Sequence, residues 1–283
     1  MNFGKLLEEV YLNCGLLALR RAATGGSATT VVDTGIINRK GDGYYAQGNN
    51  GGHVLFVSQS TDRAAPEAEF GVVSSFTLSA STPTFTIPTV SAAVAAGDIY
   101  SVMKPTIPLY EMIARVNEGM RRLPPVQLSD VSLTGAANTL EYSLPVATKG
   151  YEIQEVRIGN ATDGYQKKTD YRIRPAAAGS VEKLVFLTQP DDDTIEVTYL
   201  GKQTALSLYS DSISEKYPEE LVIAVCSQAA WEMLMRKRPS WYVDKTKMGM
   251  YNDIIQRAER AKAENPVRTL PAGRTRTHEL GRM

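Results

Sequence analysis

Residues 3–35 read FGKLLEEVYLNCGLLALRRAATGGSATTVVDTG and contain the change of pattern that decides the fold prediction. Up to Leu17, apolar residues recur at intervals of three and four, which is typical of one face of an amphipathic helix. Gly25-Gly26 then ends the helical pattern, because glycine commonly follows the last turn of a helix. The run Thr29-Thr30-Val31-Val32 that follows is typical of a β-strand. The opening segment therefore predicts a helix followed by a β module.

The same alternation continues along the chain, with further helical patterns after Pro108 and after Pro218. Isolated helices of this length are marginally stable in water, so we expect them to pack together. The predicted fold class is α+β, with a helical core formed by N-terminal, central and C-terminal helices, two inserted antiparallel β modules and an extended C-terminal arm. The predicted parts are an N-terminal helix (1–26), a first β module (27–104), a central helix (105–125), a second β module (126–208), C-terminal helices (209–265) and an extended basic arm (266–283).

The apolar stripes of these helices predict which side chains pack in the helical core or between subunits. These residues are Leu7, Val10, Leu17, Met112, Ile113, Val116, Leu221, Val225, Trp231 and Ile255.

Composition narrows the class of protein. The 283 residues include 31 basic and 31 acidic side chains, 43% apolar residues and two cysteines, as in an ordinary globular protein. Zero net charge argues against a protein that coats nucleic acid or a membrane surface. Two cysteines form no disulfide framework, and no segment has the length of a membrane span or the layout of a signal peptide. We therefore expect a soluble protein of a reducing, cytoplasmic compartment.

The residues predict no enzyme, no metal and no cofactor. His53 and His278 have no catalytic partner in sequence, and the phosphate-binding and nucleophile-elbow motifs are missing. Asp191-Asp192-Asp193 lacks the spacing of a calcium loop, so a solvated hairpin is favoured over a metal site. Cys14 and Cys226 each fall on an apolar helix stripe, where a free cysteine behaves as a small hydrophobe.

Charge is distributed unevenly along the neutral chain. Residues 236–283 carry 12 basic and 5 acidic side chains, which favours docking onto an acidic neighbour. Arg236-Lys237-Arg238 suits a helix C-terminus, although a nucleic-acid contact remains a minority alternative. In the arm, the predicted docking residues are Arg268, Leu270, Arg274, Arg276 and Arg282.

The chain resembles the head–tail connector (adaptor, head-completion or neck) proteins of tailed bacteriophages. The first half of the resemblance lies in Thr29–Gly35, Asp42-Gly43-Tyr44-Tyr45, Phe85-Thr86-Ile87 and Ala95–Tyr100. The second half lies in the run from Pro218-Glu219-Glu220-Leu221 through Ala229-Ala230-Trp231-Glu232, followed by another helix and a basic tail. Together these stretches cover about half of the chain.

The resemblance implies a non-enzymatic structural protein of the virion neck, assembled in the host cytoplasm. It implies a homo-oligomeric ring of twelve subunits that joins the portal protein to the tail or a lower neck protein. Such a ring lines the channel through which DNA leaves during genome ejection, with transient contact to the passing DNA and none to a membrane. Because two β modules depart from an almost all-helical connector, a portal-proximal adaptor and a lower neck component both remain open.

Two other classes of protein are alternatives to a connector. A β-rich carbohydrate-binding or tail-associated accessory module would use exposed aromatic rings such as Tyr44, Tyr45, Tyr165 and Tyr171. A hydrolase would need a histidine or paired-carboxylate site that the residues do not provide.

Overall fold

The computed structural model describes residues 1–36, 41–46, 52–78, 82–149, 151–160, 162–175, 182–190 and 193–265. The chain divides into two compact units. The first unit consists of Met1–Leu123 and Gln203–Pro266, and the described part of the second lies within Pro124–Lys202.

The four described helices lie in the first unit. They are α1 (Phe3–Asn13), α2 (Leu109–Arg122), α3 (Glu219–Lys237) and α4 (Lys245–Glu264). Short 3-10 helices occur at Tyr44–Ala46, Val146–Thr148 and Pro239–Tyr242. None of the helices within the described ranges is long and apolar enough to span a membrane.

Within the described residues, fifteen strands form four antiparallel sheets. Those of the first unit are β1 (Leu17–Ala22), β2 (Gly25–Ser27), β3 (Thr30–Val32), β4 (Val54–Gln59), β5 (Phe70–Val72), β6 (Ser75–Thr77), β7 (Thr84–Thr86) and β8 (Ile99–Met103). Those of the second unit are β9 (Val126–Thr134), β10 (Glu141–Ser143), β11 (Glu152–Asn160), β12 (Gly164–Lys168), β13 (Tyr171–Arg174), β14 (Lys183–Phe186) and β15 (Thr194–Gly201).

In the first unit, two four-stranded sheets share one apolar core. Their strand orders are β1-β8-β4-β5 and β2-β3-β7-β6. Leu55, Val57 and Tyr100 of the first sheet cluster with Phe76 and Phe85 of the second. The two sheets therefore pack face to face as a small sandwich.

Strand β4 is buried on both of its faces. Leu55 and Val57 point into the sandwich, while Phe56 between them meets Tyr11 of α1 with ring centroids 5.7 Å apart. Phe3, also on α1, packs on Phe70 of β5 at 6.4 Å. Helix α1 thus buries one face against a sheet as well as against α3.

The predicted α+β fold with a helical core is wrong. About 30% of the described residues are helical and 31% are in strands, so this part of the chain is strand-rich. Helix α3 does contact the other three helices, but the apolar stripe of α1 is also covered by β4 and β5. Because the helices bury their apolar faces against sheets as well as against one another, the interior of the first unit is built from helices and sheets together.

The N-terminal helix is also shorter than the predicted 1–26. It ends at Asn13 because Gly15 takes φ +65°, a left-handed conformation that favours glycine and follows many helix ends. Leu17 begins β1, which pairs with β8, and its side chain is exposed rather than buried in a helical core.

The second unit is built from two further antiparallel sheets, in the orders β12-β11-β15-β9 and β10-β14-β13. Side chains from both sheets meet in a separate apolar core. This core contains Tyr142, Leu144, Val156, Ile158, Leu184, Phe186, Ile195 and Val197.

Candidate interaction surface

The candidate surface lies where α3 ends and α4 begins, over residues 236–247, which we name the basic tip. Helix α3 ends at Lys237, and the Pro239–Tyr242 3-10 helix turns the chain, because proline cannot donate the hydrogen bond that would continue the helix. Asp244 then caps α4, its carboxylate accepting hydrogen bonds from the backbone N–H groups of Thr246 and Lys247.

A tryptophan holds the turn of the basic tip against the helices. The ring of half-buried Trp241 lies 5.6 Å from that of Trp231, which is fully buried on α3. The indole N–H of Trp231 donates to the carbonyl oxygen of Asn13 at 3.1 Å, at the end of α1. The turn is therefore fixed to the interior of the first unit.

Two cations of the basic tip lie over the same indole ring. The guanidinium of Arg238 is 5.6 Å and the ammonium of Lys247 is 4.9 Å from the ring centroid of Trp241. Each such contact contributes about 0.5–1 kcal/mol at an exposed site. The interaction orders the cations and leaves their charge unneutralised.

The apolar side chains next to these cations face solvent. Val243 is 84% exposed and Tyr242 is 52% exposed. Tyr110 of α2, 70% exposed, adjoins Glu111, whose carboxylate contacts the ammonium of Lys237. Val243 and Tyr242 are therefore exposed just after the end of α3, and Tyr110 is exposed at the start of α2.

The basic tip is also strongly charged. It contains five basic residues and one acid, Asp244, which is engaged in the helix cap. Within the described residues, Arg236, Arg238 and Lys245 form no ion pair. An apolar centre with a cationic rim suits an apolar group flanked by carboxylates or phosphates.

Helix α2 is pinned to α3 beside this surface. The guanidinium of Arg122 contacts Glu232 of α3 at 2.8 Å and Glu118 of its own helix at 2.7 Å. At the crossing of the two helices, a β-carbon added to Gly119 would lie 2.7 Å from the α-carbon of Cys226. The helices are therefore in backbone contact, which fixes the end of α3 that carries the basic tip.

The buried carboxylate of Asp33 stabilises the fold of the first unit. Asp33, 1% exposed, accepts hydrogen bonds from Arg21 Nε at 2.7 Å, from the Tyr100 hydroxyl at 2.8 Å and from the Gly35 N–H at 2.8 Å. Burial, more than the neighbouring Asp33, raises the pKa of Tyr100 far above its usual range. Asp33 therefore ties β8 and the loop after β3 together rather than activating a nucleophile.

His53 lies directly before β4 and is buried. Its Nδ1–H donates to the carbonyl oxygen of Tyr45 at 3.0 Å, and its ring packs against those of Tyr44 and Tyr45. Burial lowers the pKa of His53, the hydrogen bond to Tyr45 opposes that shift, and nearby Lys104 adds to it. The imidazole is a neutral packing group in the folded protein.

This burial predicts a pH dependence of stability. Unfolded His53 takes up a proton near its ordinary pKa of 6.5, whereas the folded protein resists protonation until a lower pH. Stability from His53 is therefore complete above about pH 6.5 and declines as the pH falls toward the folded pKa. Urea unfolding at about pH 7.5 and pH 5.5 should show a smaller loss of stability for His53→Gln than for the natural chain. Equal losses in the two proteins would contradict a neutral, buried His53.

The two cysteines are buried, and most of the predicted acidic hairpin lies outside the described residues. Cys14 and Cys226 are fully buried, and burial raises both thiol pKa values well above their usual range. Asp191 and Asp192 lie outside the described residues, and Asp193 accepts a hydrogen bond from Asn160. Across the described ranges, no group of three or more histidine, cysteine, aspartate or glutamate side chains could hold a metal ion.

The predicted packing residues separate into three groups. Seven are buried: Leu7, Val10, Met112, Val116, Leu221, Val225 and Trp231. Ile113 and Ile255 are half-buried, and Leu17 is exposed on β1. The predicted arm residues Arg268, Leu270, Arg274, Arg276 and Arg282 lie outside the described residues.

The four tyrosines of the carbohydrate-binding alternative do not share one environment. Tyr45 is buried against Phe76 and Phe85, with ring centroids 4.9 Å and 5.1 Å away. Tyr44 and Tyr165 are partly exposed, and Tyr171 is half-buried against Phe186. Tyr45 is thus a core residue of the first unit and is not available as a binding platform.

Sequence reasoning missed Trp241, Tyr242 and Val243 as a surface. It placed Arg236-Lys237-Arg238 at a helix C-terminus or in a nucleic-acid contact, and it predicted docking of the basic region 236–283 without the apolar residues that lie between the cations. The available signal was the sequence RKRPSWYVDK over residues 236–245, where proline and aspartate bracket aromatic and aliphatic residues between cations.

Comparison of the chain with protein-family models, with curated proteins and with solved structures found no match.

Proposed function

We propose that this chain is a non-enzymatic structural protein of a bacteriophage virion neck. In this proposal its copies form a ring that joins the portal to the tail or a lower neck protein and lines the DNA exit channel. The proposal starts from the sequence resemblance of Thr29–Gly35 and of the run that begins at Pro218.

The basic tip is the observation that carries the proposal. Val243 and Tyr242 are exposed side by side on a turn that Trp241 holds in place, and the cations of the basic tip flank them in sequence. Exposed apolar groups rimmed by polar side chains are characteristic of protein–protein contacts. A chain that assembles with other proteins therefore accounts for this surface.

The partners in this proposal are further copies of the chain, the portal and the tail. The arginines of residues 266–283 would form bidentate, charge-assisted hydrogen bonds to carboxylates of the portal. Arginines and lysines that face the channel would contact the phosphates of passing DNA only transiently. Such contacts weaken steeply as the salt concentration rises.

The ring can be tested on the purified protein. We expect negative-stain images of rings with a central hole wide enough for duplex DNA. Sedimentation should give a mass that is a multiple of the 30.9 kDa chain. A monomer at every concentration, with no ring in the images, would refute the proposed function.

A further inference from the structure

We propose that copies of this chain associate head to tail, with the basic tip of one copy seated on a cavity at the opposite end of α3 in the next copy. The inference rests on the proposed ring and names the two surfaces that would build it. Both surfaces belong to the first unit.

The receiving surface is a cavity of about 300 Å³ where the chain enters α3, which we name the α3 cavity. Apolar groups of Ile213, Tyr217 and Val222, all buried, line it. Its volume lies at the lower end of the range for binding pockets, about 300–1,000 Å³, so it suits one or two side chains. Its full lining is Met1, Ile213, Ser214, Glu215, Tyr217, Pro218, Glu219 and Val222.

The rim of the α3 cavity is acidic. Residues 211–220 contain four acids and one base. Glu215 and Glu219 line the cavity, and Glu220 follows on the exposed first turn of α3. Glu219 also lies 3.6 Å from the amino group of Met1, so Glu215 and Glu220 provide the unshared charge. The basic tip, with five bases and one acid, is the complement of this rim.

The apolar parts of the two surfaces also correspond. Val243 and Tyr242 project from the basic tip, and the α3 cavity is lined by both polar groups and the apolar side chains of Ile213, Tyr217 and Val222. An interface with an apolar centre and a polar rim has this arrangement. We therefore assign Val243 as the anchor and Arg238 and Lys245 as the cations that meet Glu215 and Glu220.

The position of the two surfaces makes the contact intermolecular. Helix α3 has 19 residues and separates them by roughly 28 Å at 1.5 Å per residue. A rigid helix cannot bring its own ends together, so each copy offers one tip and one cavity to different neighbours. Such a head-to-tail contact generates a ring when its rotation closes.

Three variants test the assignment. The tip variant carries Arg238→Glu and Val243→Asp, and the cavity variant carries Glu215→Lys and Glu220→Lys. The control variant, Arg20→Glu, makes the same charge change as Arg238→Glu on an exposed residue of β1 that belongs to neither surface. Circular dichroism establishes that all of them are folded, which is expected because each changed residue is exposed.

Sedimentation of the separate proteins and of their mixture then gives the result. We expect rings from the natural chain and the control, and monomers from the tip and cavity variants, each with at least about tenfold weaker self-association. A 1:1 mixture of the two variants should form dimers and nothing larger, because only one intact tip and one intact cavity remain per pair.

Four outcomes would overturn the head-to-tail contact. Rings that persist in either variant would leave the proposed function standing and remove this interface. A mixture that stays monomeric would show that the tip and the cavity do not meet. If the tip variant keeps its rings but loses binding to a short DNA duplex, the basic tip is a nucleic-acid surface instead. A monomeric natural chain would remove the proposed function together with this contact.

Discussion

Replacing Gly119 by alanine is expected to destabilise the first unit by about 2–3 kcal/mol, in the range measured for overpacked interiors. The added β-carbon would lie 2.7 Å from the α-carbon of Cys226. Because that atom belongs to the backbone of α3, no side-chain movement relieves the clash, and α2 and α3 must separate. Alanine is a better helix former than glycine by about 1 kcal/mol, so the clash must exceed this gain.

Gly249→Ala is the matched control for Gly119→Ala. Gly249 also lies within a helix, α4, but an added β-carbon there meets nothing within 4 Å. Urea unfolding should therefore show Gly249→Ala to be more stable than the natural chain, by up to about 1 kcal/mol. If Gly119→Ala were stabilising to the same extent, α2 and α3 would not cross at Gly119. Loss of the crossing should also weaken the proposed ring, because the basic tip depends on the position of α3.

Replacing Asp33 by alanine is expected to cost about 2–3 kcal/mol of stability, because buried hydrogen-bond donors lose their acceptor. The carboxylate accepts hydrogen bonds from Arg21, Gly35 and Tyr100, and it is itself buried. Its removal leaves the Tyr100 hydroxyl buried without its acceptor. Arg21 is 40% exposed, so water partly replaces its lost contact and the penalty comes mainly from the buried groups.

Tyr100→Phe is the control that separates the hydroxyl from the carboxylate. It removes one hydrogen bond and should cost about 1 kcal/mol. The double variant should lose less stability than the sum of the two single-variant losses, because the phenylalanine ring has no hydroxyl donor to leave unsatisfied. Strictly additive losses in urea unfolding would contradict the hydrogen bond between Tyr100 and Asp33.

Local patterns predicted most of the secondary structure. The alternating residues of Leu184–Leu187 and Ile195–Tyr199 correspond to β14 and β15, and the three- and four-residue spacing after Pro108 corresponds to α2. Helix α4, Lys245–Glu264, lies within the range 209–265 predicted for the C-terminal helices. These elements were predictable because the spacing of apolar residues records which face of an element is buried.

The end of α1 shows where local pattern misled. The apolar spacing continues through Leu17, but Gly15 ends the helix and the next residues pair with β8. Leucine suits a helix or a strand, so Leu16 and Leu17 do not distinguish the two. Pairing with β8, which lies far away in the chain, decides the outcome.

The candidate surface divides in the same way. The sequence by itself determined that residues 236–247 are basic, that a proline interrupts the helical pattern, and that aromatic and aliphatic residues lie among the cations. Only the tertiary structure decided that Trp241 packs inward on Trp231 while Val243 faces solvent, and that helices and sheets share the interior of the first unit. Composition and spacing state which side chains gain from burial, but burial requires a partner surface. For α1 that partner surface is formed by β4 and β5, whereas the described part of the first unit offers no partner surface to Val243. Whether a side chain finds such a surface depends on contacts between residues far apart in the chain.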